Sequence, residues 1–225
     1  MKKIIYSFVF ILFLLFNPLT VYVKEELEVK IIQPLSGVVI VLDAGHGYPD
    51  RGAMSIDINE SDINLILVRK TKERLTKAGA KVIFTRSNEN DLSSKDKKNR
   101  KRDDMKKRAK IINNKKVDLF LSIHLNAYPS SNVKGSQVYF RKDDEQGKVF
   151  ANIIQNNFKK FNETRMVPKD GDYFILNKTK PIGVLVECGF ISNHQDRANL
   201  CQESYQNKIA DCLYSSIKEY LNMLE

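Results

Sequence analysis

The chain contains no Cys-x-x-Cys pair, and its three cysteines, Cys188, Cys201 and Cys212, are an odd set. The first absence leaves a thiolate zinc cluster without support. The second limits the disulfide options, with Cys201 and Cys212 as the more plausible couple. On one continuous helix, however, that spacing holds the two sulfurs too far apart to bridge. Three reduced, mostly buried thiols are therefore expected. Acidic residues are the minority charge, 27 Asp and Glu against 37 Lys and Arg, for a formal net charge of +10. No aromatic residue interrupts the most basic run, Lys95 to Lys110, so stacking of single-stranded nucleic acid bases has no platform there. A solvated helix face or a loop is the simplest reading of that run. Neither an internal repeat nor a linker divides the chain. At 225 residues it is long enough for one full hydrophobic core and hardly long enough for two.

Charge is also missing from Ile4 to Val23, directly after the positive Met1-Lys2-Lys3. That is the layout of a secretory signal, with an apolar segment centred on Phe8 to Phe16. Asn17-Pro18-Leu19-Thr20 makes a poor cleavage site, and ~20 apolar residues also suffice to span a bilayer. Residues 1–23 are thus expected to be a signal peptide or an N-terminal membrane anchor, followed by one catalytic domain over residues 33–225. Export places a basic protein among the polyanions of the cell wall, so nucleic acid is not the expected partner.

Short apolar, β-rich runs alternate with longer helical patterns. Val38 to Leu42, Val82 to Phe84, Leu119 to Ile123, Val138 to Phe140, Tyr173 to Leu176 and Val184 to Val186 read as strands. Ile63, Leu67, Thr71, Leu75 and Ala78 recur at helical spacing, with Gly79 placed to end the helix. Met105 to Ile112, Phe150 to Phe161 and Tyr205 to Leu224 mark three more helices. The alternation predicts an α/β fold: a single three-layer domain with a mostly parallel, twisted sheet of about six strands flanked by helices. Ligands of such sheets sit at the carboxyl ends of the strands.

Three segments carry chemistry to those ends. In Val41-Leu42-Asp43-Ala44-Gly45-His46-Gly47 an apolar strand runs into a turn with a histidine between glycines, which leave room for a ligand. In Leu119 to Asn126 a second buried strand delivers His124, and Asn126, two residues on, shares its side and is placed to orient substrate or a neighbouring ligand. In Val184-Leu185-Val186-Glu187 a carboxylate follows a buried run. Such a group is costly unless paired, metal-bound or protonated, which makes Glu187 the leading acid/base candidate. Two histidines need a third protein ligand to hold a catalytic zinc with an open position. Glu60, at the start of the first long helix, ranks only slightly above Asp43, Asp50, Asp57 and Asp62, and spacing does not decide among them. His194 reads as a helix-start residue. Arg86 reads as an ion-pair partner for a carboxylate near the site or as an exposed strand-end arginine.

Taken in order, these segments resemble the zinc-dependent N-acetylmuramoyl-L-alanine amidases of bacterial cell walls. The match runs through Asp43 to Gly47 with Gly52-Ala53, Glu60, Thr85-Arg86, Ser122 to Asn126, and Val186 to Asn193. One departure is Tyr48-Pro49 after the first motif, where the family commonly has glycine and an acidic residue; it bears on turn shape more than on chemistry. The resemblance implies one Zn2+ per chain bound by His46, Glu60 and His124, Glu187 as the catalytic carboxylate, and Asn126 and Arg86 as substrate-binding candidates. It implies peptidoglycan as the substrate, cut between muramic acid and L-alanine. Within the family the features look most like the spore-cortex branch, which removes stem peptides so that muramic-δ-lactam forms for germination. That placement implies the forespore intermembrane space or cortex, with membrane contact through the N-terminal segment if it is uncleaved. A role so narrow leaves room for an activating partner such as a membrane lipoprotein. The rival readings are a general autolysin, a zinc peptidase or deacetylase on the same polymer, and a non-catalytic peptidoglycan-binding scaffold.

Overall fold

Strands buried on both faces carry near-continuous apolar sequence, and β1 (Val39–Ala44), β3 (Leu119–Asn126) and β6 (Ile182–Phe190) are of this kind. They form the centre of a six-stranded sheet in a computed structural model that describes residues 33–224 apart from 57, 95–97, 115 and 163. The expected signal or anchor over residues 1–23, Asp57, and Lys95 to Lys97 of the basic run lie outside the described residues. The remaining strands are β2 (Lys81–Phe84), β4 (Gln137–Phe140) and β5 (Lys169–Asp170), and the order across the sheet is β2-β1-β3-β6-β4-β5. All neighbours run parallel except β4 and β6, which are antiparallel.

Among the described residues six helices accompany the sheet: α1 (Glu60–Lys77), α2 (Arg100–Ile112), α3 (Glu145–Lys159), α4 (Phe174–Asn177), α5 (His194–Leu200) and α6 (Glu203–Asn222). Alternation along the strands splits the core in two. Ile40, Leu42, Leu121, Ile123, Val184 and Val186 point into the larger cluster, against apolar faces of α1, α3 and α6. Val41, Phe120 and Leu185 point the other way, against Ala109 and Ile112 of α2 and Ile175 and Leu176 of α4. These are the three layers that the sequence pattern predicts. Local chemistry fixes several helix starts: the Asn99, Asp144 and Asn193 side chains accept from the backbone N–H groups of Arg102, Gly147 and Asp196. An N-cap of this type contributes ~1 kcal/mol.

Two expectations need correcting. Tyr173 to Leu176 is not a strand: residues 174–177 form the short helix α4. Ile175 and Leu176 are both buried, and a strand would send adjacent residues to opposite faces. One helical turn docks both beside α2, and the Thr179 hydroxyl bonds back to the carbonyl of Ile175 at 2.6 Å. The sheet edge is taken instead by the two-residue β5, paired with Tyr139 and Phe140. The other concerns the extent of α5, which the apolar pattern did not mark although His194 reads as a helix start; His194 is indeed its first residue. The cysteines are all free, with Cys188 and Cys212 buried and Cys201 exposed. Cys201 caps α5 while Cys212 lies in α6, so the two do not share a helix.

Candidate metal centre

The strand order places β2 and β3 on opposite sides of β1, so the chain leaves β1 one way and returns on the other. Ligands of open α/β sheets bind at such a reversal, beyond the carboxyl ends of the strands. His46 stands there, two residues past β1, with φ +60°. His124 lies near the end of β3, on the same face as Phe120 and Ser122. Glu60 opens α1 and reaches His46 beyond β1 and Leu125 within β3.

The three side chains converge. Glu60 Oε1 lies 2.9 Å from His124 Nδ1 and 3.3 Å from His46 Nε2, and the two imidazoles stand edge to face with centroids 5.0 Å apart. One ligand atom from each residue fits within a 4.8 Å span. Backbone donors fix the carboxylate: Leu125 N–H donates to Oε1 at 3.1 Å and Ala53 N–H to Oε2 at 2.8 Å. On the outer side, His46 Nδ1 lies 3.0 Å from Asp50 Oδ2, the kind of carboxylate contact that fixes the tautomer and orientation of a ligating imidazole. Three of the four rival third ligands are thereby sorted, Asp57 lying outside the described residues. Asp43 is bonded to Arg108, Thr85 and Ser122, Asp62 to Asn59 and Ser61, and Asp50 to the far nitrogen of His46.

Electrostatics match a cation site. Burial disfavours a charged His46, but the carboxylates of Asp50 and Glu60 outweigh it and push the imidazole up to about 9. Burial would raise Glu60, yet hydrogen bonds to His124 and His46 hold it far below the usual carboxylate range. Asp43 is likewise lowered: burial opposes ionisation, and Arg108 and two hydroxyls overcome it. Two nitrogens and one carboxylate oxygen are the donor set of a catalytic zinc site with an open position. The backbone is cut to fit that cluster. A Cβ on Gly45 would stand 2.3 Å from the His124 ring, and one on Gly52, at φ +68°, would stand 2.4 Å from Glu60 Oε2.

Glu187 completes the arrangement. It is the register partner of His124 on one side and of Gln137 on the other. The residue is 7% exposed, and its Oε2 is buried without a hydrogen-bond partner. Burial pushes its carboxyl up to about 7, with His124 acting downward and Glu60 upward. A cavity of about 360 Å³ opens over His46, His124 and Glu187, walled by Met105, Tyr173 and Phe174.

Asn126 is half-buried beyond His124, at a register shift between β3 and β6, and its Oδ1 accepts from Ala127 N–H at 2.8 Å. Arg86 is 3% exposed, and its guanidinium donates to the carbonyls of Ala44, Gly45, Ser61 and Asn88. Arg108 is the residue that sequence reasoning passed over. It was visible only as part of a basic run, although Asp104, Arg108 and Ile112 share helical spacing and one buried face.

The family described as N-acetylmuramoyl-L-alanine amidase matches residues 40–219. The germination-specific N-acetylmuramoyl-L-alanine amidase of Bacillus subtilis (strain 168) is 40% identical over 194 residues, which cover 83% of this chain and 81% of that protein. Among solved structures, the CwlD amidase from Clostridioides difficile in complex with the GerS lipoprotein is similar at 35% identity and a TM-score of 0.78, covering 83% of this chain and 99% of that one. The catalytic domain of CwlV, an amidase from Bacillus (Paenibacillus) polymyxa var. colistinus, is similar at 31% identity and a TM-score of 0.72, covering 82% and 98%.

Proposed function

The chain belongs to the N-acetylmuramoyl-L-alanine amidase family, and on that premise we propose that it hydrolyses the amide between N-acetylmuramic acid and the L-alanine of the stem peptide in spore-cortex peptidoglycan. The observation that carries the reading is the convergence of His46, Glu60 and His124 within 4.8 Å, beside a buried carboxylate with an unpartnered oxygen. Those three residues would hold one zinc ion per chain. When bound, zinc supplies Lewis-acid activation of water and of the scissile carbonyl. Glu187 takes a proton from the attacking water on its free Oε2 and returns it to the departing alanine nitrogen. A carboxyl near 7 exchanges protons in both directions at neutral pH, which is what one group serving as base and then acid requires. Asn126 and the walls of the cavity orient the substrate.

The germination-specific relative supports a germination role, and the cortex assignment is proposed with it, stem-peptide removal preceding formation of muramic-δ-lactam. The GerS complex supports a lipoprotein partner for this chain, and activation by that partner is part of the proposal. Export, through a signal or anchor at residues 1–23, brings the enzyme to that substrate. Among the described residues no helix is long and apolar enough to cross a membrane. The test is incubation of the purified protein with cortex and vegetative peptidoglycan, followed by end-group and metal analysis. New L-alanine amines and near one zinc per chain are expected. Released acetate or cleavage within the stem peptide would move the enzyme to another specificity, and no product from either wall would favour the scaffold reading.

A further inference from the structure

Two buried arginines lie against the turn that carries His46. The Ala44 carbonyl accepts from Arg86 Nε at 2.8 Å and from Arg108 Nη1 at 2.6 Å. The Gly45 carbonyl accepts from Arg86 Nη2 at 3.0 Å and Asn64 Nδ2 at 3.2 Å, and the His46 carbonyl from Arg108 Nη2 at 2.5 Å. Three consecutive carbonyls are thus held by side chains from distant elements, the first at the end of β1 and the next two in the turn beyond it. His46 sits at φ +60° and Gly47 at φ +147°. A non-glycine residue held in the left-handed region is strained and persists only where its surroundings over-determine it.

Arg108 is itself anchored. It is 1% exposed, its Nε donates to Asp104 Oδ2 at 2.8 Å, and its Nη1 donates to Asp43 Oδ1 at 2.8 Å. The Asp43 carboxylate is in turn held by the hydroxyls of Thr85 and Ser122, each at 2.6 Å. The network therefore runs from α2, through the last residues of β1 and a side chain of β3, to the backbone of a candidate ligand.

We propose that Arg108 is a positioning residue of the metal centre, acting through the His46 carbonyl to hold that residue in the conformation that aims its imidazole at Glu60. The proposal rests on the reading of His46 as a zinc ligand. A guanidinium is needed because its planar fork reaches two carboxylates and two carbonyls at once, whereas an ammonium is a single point. Arg108→Lys keeps the charge facing Asp43 and Asp104 and removes the span.

The experiment measures zinc affinity of the full chain by competition with a chromophoric chelator, alongside thermal melting of the metal-free protein and the visible absorption of the cobalt(II)-loaded form. For Arg108→Lys, zinc binding is expected to weaken by about 10-fold or more, the usual scale for partners that orient a ligand. Metal-free melting should stay near that of the parent, and the cobalt bands should shift. A folded variant that binds zinc as tightly as the parent, with an unchanged cobalt spectrum, overturns the proposal. If Arg108→Lys does not fold, Asp104→Asn decides, since it leaves Arg108 in place and removes the carboxylate charge that holds its Nε. Weakened zinc binding there supports the proposal, and unchanged binding overturns it. Parent protein that binds no zinc overturns the metal-site reading itself, and this inference with it.

Discussion

Glu187→Gln should make the metal-free protein more stable at alkaline pH while abolishing turnover. In the folded protein the carboxyl titrates at about 7, against 4.5 for an ordinary glutamate. Between those values the native state keeps a proton that the unfolded chain has released. Stability therefore falls as pH rises from 4.5 to 7, and the cost is complete above 7. At ~1.4 kcal/mol per pH unit, that gap amounts to ~3 kcal/mol. Glutamine has no charge to desolvate, so the term vanishes in the variant. Its amide brings a separate cost of ~1–3 kcal/mol for a buried N–H without a partner, but that cost does not change with pH. Subtracting the two unfolding free energies at each pH removes it. The same subtraction removes most of the His46 contribution, which is present below 6.5 and lost as pH rises through about 9, because the carboxylates that raise it, Asp50 and Glu60, are kept in the variant. Urea unfolding with a chelator present, at intervals from pH 4.5 to 8.5, supplies the curve. The variant should gain ~3 kcal/mol on the parent across that range, with half the change near pH 6. A flat difference would show that Glu187 is not desolvated in the folded state. A difference of opposite sign would make it half of a stabilising ion pair, unfit for the role assigned above.

Glu60→Ala, His46→Ala and His124→Ala should each lose bound zinc, read by metal analysis after gel filtration, while Glu187→Gln retains it; equal zinc in all four would dismantle the ligand set. Gly52→Ala forces a methyl to within 2.4 Å of Glu60 Oε2 at a backbone φ of +68°, so zinc affinity should drop with the fold largely kept, as checked by chelator competition and circular dichroism. Leu213→Ala, at a fully buried position of α6 facing the larger core, should cost ~2–5 kcal/mol in unfolding free energy and leave zinc stoichiometry at one. A loss of metal in that variant would mean that the site depends on the whole fold more than on its local anchors.

The sheet was legible wherever apolar sequence was continuous, and its limits fell where polar side chains take over inside a strand. β1 extends past Leu42 through Asp43, β3 past Ile123 through Asn126, and β6 past Val186 to Phe190. The ends that hydropathy missed are the ends that carry Asp43, His124 and Glu187. A strand that delivers chemistry must break its own apolar pattern at the point of delivery, so pattern reading stops short where the site begins. α4 fails for another reason. Four apolar residues are too few for periodicity to separate one turn of helix from a strand, and the deciding fact, that Ile175 and Leu176 dock together on α2, is tertiary.

The site shows the same division between what spacing encodes and what only contact reveals. His46, His124 and Glu187 each follow a buried run, and a sequence records that. Glu60 could not be separated from four aspartates because its distinguishing feature is a pair of backbone donors, Ala53 and Leu125, the second 65 residues away. Arg108 was hidden differently, by its neighbours. Lys101, Lys106 and Lys110 are exposed, as a solvated basic face requires, and composition gives Arg108 the same weight as they have. Helical geometry does not. With 3.6 residues per turn, Asp104, Arg108 and Ile112 fall on the inner face, so a guanidinium is driven beneath the His46 turn, where burying it is tolerable only because Asp43 and Asp104 accompany it. One run of positive charge thus holds two kinds of residue, a solvent face and an internal tie. What separates them is a carboxylate four residues back, in phase with the core.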